Sequence, residues 1–109
     1  MEMFEACEAF SSLAQETRLK VFLLLIEYGR DGVNAGTIAE ELKLPGNTLS
    51  FHLAHMSKAG LVTSKREGRS IIYFANTDLM NGLVGFLTKN CCAKERKSKT
   101  RKSCDERSC

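Results

Sequence analysis

Apolar residues recur at helical spacing along most of the chain, which predicts a mainly α-helical protein. In residues 2–12, Met3, Cys7 and Phe10 fall on one stripe, so Cys7 is interpreted as a small core residue. The next helix is apolar around much of its circumference and is followed by Gly29, a residue typical of helix ends. This second helix is therefore expected to be buried.

A helix-turn-helix is predicted in the middle of the chain. Asn34 can cap a short helix, and Pro45-Gly46 then breaks the chain before a second helix that ends at Gly60. One face of the second helix is apolar, with His52 at its edge in an expected structural role. The opposite face is compact and nearly uncharged, which suits a helix that reads base edges in a major groove. The predicted DNA-reading residues on it are Asn47, Thr48, Ser50, Phe51 and His55.

Two β-rich runs after Gly60 predict a hairpin. They are joined at Glu67-Gly68, an acid followed by glycine, which is a plausible tight turn. Lys65, Arg66 and Arg69 flank this turn and make its tip basic. A basic hairpin directly after a helix-turn-helix is a wing, whose arginines can contact phosphates or enter a minor groove. The predicted fold class is thus a winged helix-turn-helix, mainly α with a small β-hairpin wing.

A last helix is expected to be capped by Thr77 or Asp78, and Cys91 is expected to continue its apolar stripe. The first and last helices have wider apolar faces than so small a core can cover. This excess predicts a homodimer that forms through these two helices.

Composition defines the domain and its compartment. After Cys92 the chain has no large apolar residue, so residues 1–92 form the predicted domain and residues 93–109 a flexible, basic, cysteine-bearing tail. Neither a membrane-spanning run nor a secretory signal is recognisable, so a cytoplasmic location without membrane contact is expected. In that reducing compartment the five cysteines are expected to be thiols or metal ligands.

The net charge of +3 hides an uneven distribution. Residues 1–42 carry three basic and eight acidic side chains, a net −5, whereas residues 43–69 carry five basic and one acidic, a net +4. The tail from residue 93 carries another +4. The middle third, which contains the predicted reading helix and wing, is suited to a polyanion, so double-stranded operator DNA is the expected partner.

Residues 12–76 resemble the ArsR/SmtB family of metal-responsive repressors. The similarity runs through TRLKVFLLL, IAEELKLPGNTLSFHLAHMSKAGLV and KREGRSIIYF. Its most specific pieces are the S-x-H-L of residues 50–53, the AGLV of residues 59–62 and the REGR-x-x-x-Y of residues 66–73. The resemblance implies a homodimeric winged helix-turn-helix, dimerised through its first and last helices, that blocks an operator until an inducing ion binds.

Two of the positions at which family members bind ions lack suitable ligands here. Leu42-Lys43-Leu44 has no thiol where one arsenic site needs Cys-x-Cys, and the last helix has no His for a zinc site. Arsenite-responsive relatives resemble this chain in an Asn-Cys-Cys motif at the close of the last helix, matched by Asn90-Cys91-Cys92. Trivalent arsenic or antimony prefers three thiolates. The predicted ligands are Cys91, Cys92 and Cys104, with Cys109 as the alternative third ligand.

Other interpretations of these thiols stay open. Cys91 and Cys92 could be small residues that end a buried helix, or a redox switch that pairs with a tail cysteine on oxidation. The tail could instead add non-specific attraction to DNA, with incidental cysteines. A thiol protein that only sequesters metal is the alternative of a different class, and specific binding to a palindromic duplex would distinguish the two. An enzyme is not expected, because no catalytic constellation stands outside the predicted DNA face.

Overall fold

The computed structural model describes residues 1–96, which form five α-helices and a small three-stranded antiparallel sheet. The helices are α1 (Met3–Leu13), α2 (Glu16–Tyr28), α3 (Ala35–Leu42), α4 (Gly46–Lys58) and α5 (Thr77–Thr88). The strands are β1 (Val33–Asn34), β2 (Val62–Glu67) and β3 (Ser70–Ala75), in the order β1-β3-β2. This is the predicted winged helix-turn-helix. No helix within residues 1–96 is both long and apolar enough to cross a bilayer.

Side-chain caps fix the starts of three helices. The side chains of Gln15, Asn34 and Asn76 accept hydrogen bonds from backbone N–H groups in the first turns of α2, α3 and α5. The Asn34 cap confirms the predicted start of α3. The predicted cap of α5 at Thr77 or Asp78 is wrong, because the amide of Asn76 already satisfies the Leu79 N–H at 3.2 Å.

The core lies between α2, α3, α4 and the base of the wing. Its fully buried large side chains are Val21, Leu25, Ile38, Leu49, Met56 and Leu61. The expectation that α2 is buried holds for one side of that helix. Leu19 and Leu23, four residues apart, are exposed on the other side.

Helix α1 turns a different face to the core from the one predicted. Ala6, Ala9 and Ser12 are buried, whereas Met3 is 67% exposed and Cys7 is exposed as well. Small side chains allow α1 to approach its neighbours closely, and its large apolar residues are left on the outer side. The interpretation of Cys7 as a core residue is therefore wrong.

Helix α5 ends before the paired cysteines. Its last residue is Thr88, and residues 89–94 follow as turns, with the Cys91 N–H donating to the Thr88 carbonyl at 2.9 Å. Cys92 has a left-handed φ of 61°. All residues from Leu87 to Cys92 are exposed, so no core contact extends the helix. The prediction that Cys91 continues the apolar stripe of α5 is wrong.

The wing turn lies one residue later than predicted. Glu67 pairs with Ser70, which leaves Gly68-Arg69 as a two-residue turn with φ +62° at Gly68. Strand β1, which the sequence did not predict, pairs with β3 and joins the wing to the start of α3. Just before β1, Gly32 has φ +69°, and a Cβ there would lie 2.5 Å from a ring carbon of Phe74. Only glycine fits this passage beneath the wing.

Candidate nucleic-acid interface and thiol pair

Helix α4 buries one face and exposes the other, as its pattern predicts. Leu49, Leu53 and Met56 are buried against the core. Of the predicted DNA-reading residues, Asn47, Ser50, Phe51 and His55 are exposed and Thr48 is half-buried. The helix has no carboxylate along its length, so nothing on it repels a phosphate backbone.

The wing stands beside α4 on the same side of the molecule. A groove of about 480 Å³ is lined by Ser50 from α4, by residues 34–36 at the start of α3, and by wing residues that include Arg69. Lys65 and Arg66 are exposed on β2. The structure thus brings Arg69 and Ser50 to the walls of one groove.

A buried hydroxyl connects α1 to α4. Ser12 is fully buried, and its Oγ lies 3.0 Å from Nδ1 of His55. His55 is exposed but has one ring nitrogen engaged by α1, so only the rest of its ring is available to DNA. This contact fixes the end of α4 relative to the first helix.

Arg18 makes a second connection between the N-terminal helices and α4. Its Nε donates to the carbonyl of Ser12 at 2.8 Å, and its Nη1 lies 3.1 Å from Nδ1 of buried His52. Burial lowers the pKa of His52, and electrostatic repulsion from Arg18 and His55 lowers it further. His52 is therefore kept neutral, with Nδ1 as the acceptor for Arg18, and has the expected structural role.

The cysteine pair after α5 is exposed. The Sγ atoms of Cys91 and Cys92 lie 3.6 Å apart, and Cys92 also lines an open pocket of about 610 Å³ with Asn90 and residues 93–95. Within residues 1–96 no three His, Cys, Asp or Glu side chains form a cluster that could hold a metal ion. The two predicted third ligands, Cys104 and Cys109, lie outside the described residues.

Comparisons with known proteins agree with this architecture. Residues 13–65 match the family model described as a helix-turn-helix domain. The uncharacterised HTH-type transcriptional regulator MJ1325 of Methanocaldococcus jannaschii is 35% identical over 85 residues, which cover 77% of this chain and 93% of that protein. The transcriptional repressor SdpR of Bacillus subtilis is 32% identical over 84 residues, covering 73% of this chain and 90% of SdpR.

A solved structure agrees with these relatives on the family. An ArsR-like transcriptional regulator from Rhodococcus sp. RHA1 superimposes with a TM-score of 0.73 at 28% identity, over 84% of each chain. The chain belongs to the ArsR/SmtB family. Proteins of this ArsR/SmtB type are transcriptional regulators with a DNA-binding fold, which confirms the prediction that the chain is not an enzyme.

Two residues that position α4 in this ArsR/SmtB regulator were not predicted from the sequence. Ser12 and Arg18 contact histidines that lie 43 and 34 residues further along the chain. Ser12 had one recognisable signal, since Ala6, Ala9 and Ser12 repeat small side chains every three residues on one helix face. Arg18 had none, because its partners are set by the packing of α2 against α4.

Proposed function

We propose that this protein is a homodimeric repressor that binds operator DNA and is released when trivalent arsenic binds to it. The reading residues are Asn47, Thr48, Ser50, Phe51 and His55, and the wing residues are Lys65, Arg66 and Arg69. The ion is held by Cys91, Cys92 and a third thiol from Cys104 or Cys109. Trivalent antimony is the second candidate ion, because it shares the preference for soft thiolate ligands.

The exposed face of α4 and the adjacent wing support DNA binding. The helix offers short polar side chains without carboxylates, and the wing offers three exposed cations. Base edges are read by hydrogen-bonding and apolar groups, whereas cations contact phosphates. The two kinds of contact stand side by side at the groove between Ser50 and Arg69.

Exposed apolar side chains on α1 and α5 support the homodimer. Phe4 is 73% exposed and Leu87 is 66% exposed, and Met3, Phe10 and Val84 add to the same two helices. Large apolar groups at this density mark an interaction surface. A second copy of the chain is the occupant that also supplies a second reading helix for a palindromic operator.

The observation that carries the arsenic proposal is the proximity of the two sulfurs after α5. At 3.6 Å, the Sγ atoms of Cys91 and Cys92 are close enough for one soft ion to contact both. Their exposure leaves room for a third thiolate to approach. Because the pair directly follows a helix of the proposed dimer surface, ligation there can alter the spacing of the two reading helices.

A thiol redox switch is the second candidate function, and one observation favours it. The sulfurs of Cys91 and Cys92 are exposed and 3.6 Å apart, so an oxidant in solution can reach both. In this alternative, oxidation of Cys91 or Cys92 to a disulfide with a tail cysteine changes the affinity for DNA, without a bound ion.

A DNA-release titration tests the proposal and separates it from the redox alternative. The duplex is one selected by the protein from a random library, and fluorescence anisotropy measures the bound fraction under a non-thiol reductant. Arsenite is expected to release the wild-type protein, and the double variant Cys91→Ser, Cys92→Ser is expected to bind DNA normally but not to respond. Cys7→Ser is the matched control, because Cys7 is an exposed free thiol outside the proposed site, and it should respond like wild type.

Each result has a definite meaning. Release of the double-serine variant by arsenite places the ion site elsewhere. Release by peroxide, together with no response to arsenite in reductant, replaces the arsenic proposal by the redox switch. A wild-type protein that selects no duplex overturns the repressor itself.

A further inference from the structure

Phe51 is an exposed aromatic ring at the centre of the outer face of α4. It is 65% exposed, although most large apolar residues on this helix are buried. Four positions, Asn47, Phe51, Ala54 and Lys58, recur at helical spacing and are all exposed, so Phe51 stands in the middle of an outward row. In the protein without a partner, the exposed ring does not gain the favourable free energy of transferring apolar surface out of water.

The ring of Phe51 is supported by the protein beneath it. It meets the ring of His52 edge to face, with the centroids 5.6 Å apart and an angle of 67° between the ring planes. His52 is itself buried and held by Arg18 at 3.1 Å. Because this support restricts the ring before DNA binds, presenting it to a partner costs little conformational entropy.

The major groove offers one apolar group to such a ring. Guanine, adenine and cytosine present only hydrogen-bond donors and acceptors there, whereas thymine also presents its C5-methyl group. We propose that Phe51 contacts the C5-methyl of a thymine in each operator half-site and so selects thymine at that position. This inference rests on the proposed function, since it requires α4 to enter the groove.

Phe51 is the longest apolar side chain on the exposed face of α4. Asn47 and Ser50 are hydrogen-bonding groups and Lys58 is a cation, while the methyl groups of Thr48 and Ala54 lie closer to the helix backbone. A polar residue in place of Phe51 would distinguish bases by donors and acceptors. Phe51 distinguishes thymine from cytosine by the methyl group alone.

Replacing thymine by deoxyuridine in the operator tests the inference directly, because it removes the C5-methyl group and leaves every hydrogen-bonding group in place. The operator is first selected from a random duplex library by the wild-type protein, and each thymine is then replaced singly. A single replacement, in one half-site only, is expected to weaken binding by about fourfold, the value of one buried methyl group. Replacement in both half-sites should weaken it by about fifteenfold.

Variants at position 51 complete a double-mutant cycle. Phe51→Ala is expected to weaken binding to the thymine duplex by a similar factor and to bind the thymine and uracil duplexes equally. Phe51→Leu should retain part of the preference for thymine. Lys58→Ala is the matched control on the same row of α4, and it should weaken binding to both duplexes equally. The thermal unfolding of each variant is compared with wild type, which exposed positions should leave almost unchanged.

Two outcomes would overturn the inference while the repressor stands. One is a wild-type protein that binds its selected operator specifically but with equal affinity for every uracil duplex. The other is a Phe51→Ala variant that keeps the full preference for thymine. If the wild-type protein selects no sequence, the proposed function fails and this inference fails with it.

Discussion

His52 and His55 lie three residues apart on α4 and contact different partners. His52 is buried and accepts from Arg18 at 3.1 Å, whereas His55 is exposed and lies 3.0 Å from the Ser12 hydroxyl. Arg18 also donates to the Ser12 carbonyl, so the two histidines belong to one polar connection between α1, α2 and α4. At the scale of single residues, the position of the reading helix depends on these few hydrogen bonds.

The stability of the protein should fall as the pH is lowered below about 6.5, the ordinary pKa of histidine. Burial and the neighbouring cations lower the pKa of His52 in the folded protein, so the unfolded chain binds more protons in this range. The contribution of His52 is thus complete above the unfolded pKa and is lost as the pH falls towards the folded pKa. Urea unfolding at fixed protein concentration, at pH 7.5 and pH 5.5, measures the difference.

His52→Asn should reduce this pH dependence, because an amide oxygen can accept from Arg18 and does not titrate. His55→Asn is the control, since it retains His52 together with its burial and Arg18, the two larger causes of its lowered pKa, and should keep most of the dependence. An unchanged pH dependence in His52→Asn would assign the effect to other groups.

The single-residue contacts were only partly predictable. The periodicity of α4 predicts that His52 lies at the edge of the buried stripe, and His52 is buried in the structure. The periodicity of α4 contains no information about Arg18 or Ser12, because these residues lie on other helices and contact α4 only after the helices pack together. The DNA contacts of Asn47, Thr48 and Ser50 stay predictions.

At the scale of elements, the wing is held in place by its connection to the helix-turn-helix. Strand β1 pairs with β3 through Val33 and Tyr73, and α3 begins directly after β1. The shared groove with Ser50 places Arg69 where the DNA backbone would pass if α4 lies in the major groove. We therefore expect Arg69 to contact a phosphate in this arrangement.

Arg69→Ala should weaken DNA binding and lower its salt dependence. Loss of one phosphate contact reduces the slope of log affinity against log salt by about 0.9, and a homodimer on two half-sites doubles this to about 1.8. Anisotropy titrations at several salt concentrations measure the slope. Lys20→Ala is the control, because Lys20 pairs with Glu16 on α2, away from this groove. If both variants keep the wild-type slope, Arg69 makes no phosphate contact.

Element predictions succeeded where the pattern was long and failed at short or exposed segments. The strong periodicity of α3 and α4 predicted where these helices lie. The turn residues predicted the position of the hairpin turn to within one residue. Strand β1 has only two residues, too few for any period. The inward face of α1 was mistaken because large apolar residues were expected to face the core, whereas they lie outside on Met3 and Phe4.

At the scale of the whole molecule, the main feature is the exposed apolar surface on the outer faces of α1 and α5. Phe4 and Leu87 are each more than half exposed, and Val84 is 56% exposed. The sequence predicted an excess of apolar surface on the first and last helices, and the single chain leaves it uncovered. The separate tail from residue 93 stays a prediction, since residues 97–109 lie outside the described part of the chain.

Leu87→Glu should convert the homodimer to a monomer and thereby abolish specific DNA binding. A two-fold dimer contains two copies of each interface residue, so the substitution removes two buried leucines. Their loss costs about 4 kcal/mol of association free energy, which raises the dimer dissociation constant close to a thousandfold. Analytical ultracentrifugation measures the molar mass, and anisotropy measures binding to the palindromic duplex. Ile71→Glu is the matched control for the molar mass only, because Ile71 is a 39% exposed apolar residue on the wing and should leave the protein dimeric. It is not a control for DNA binding, since Ile71 lines the groove beside Arg69. A dimeric Leu87→Glu protein would show that α5 is not the interface, while loss of the dimer in both variants would attribute the effect to added charge. A monomer in the first variant and a dimer in the second locates the interface at α5, next to the thiols proposed to control it.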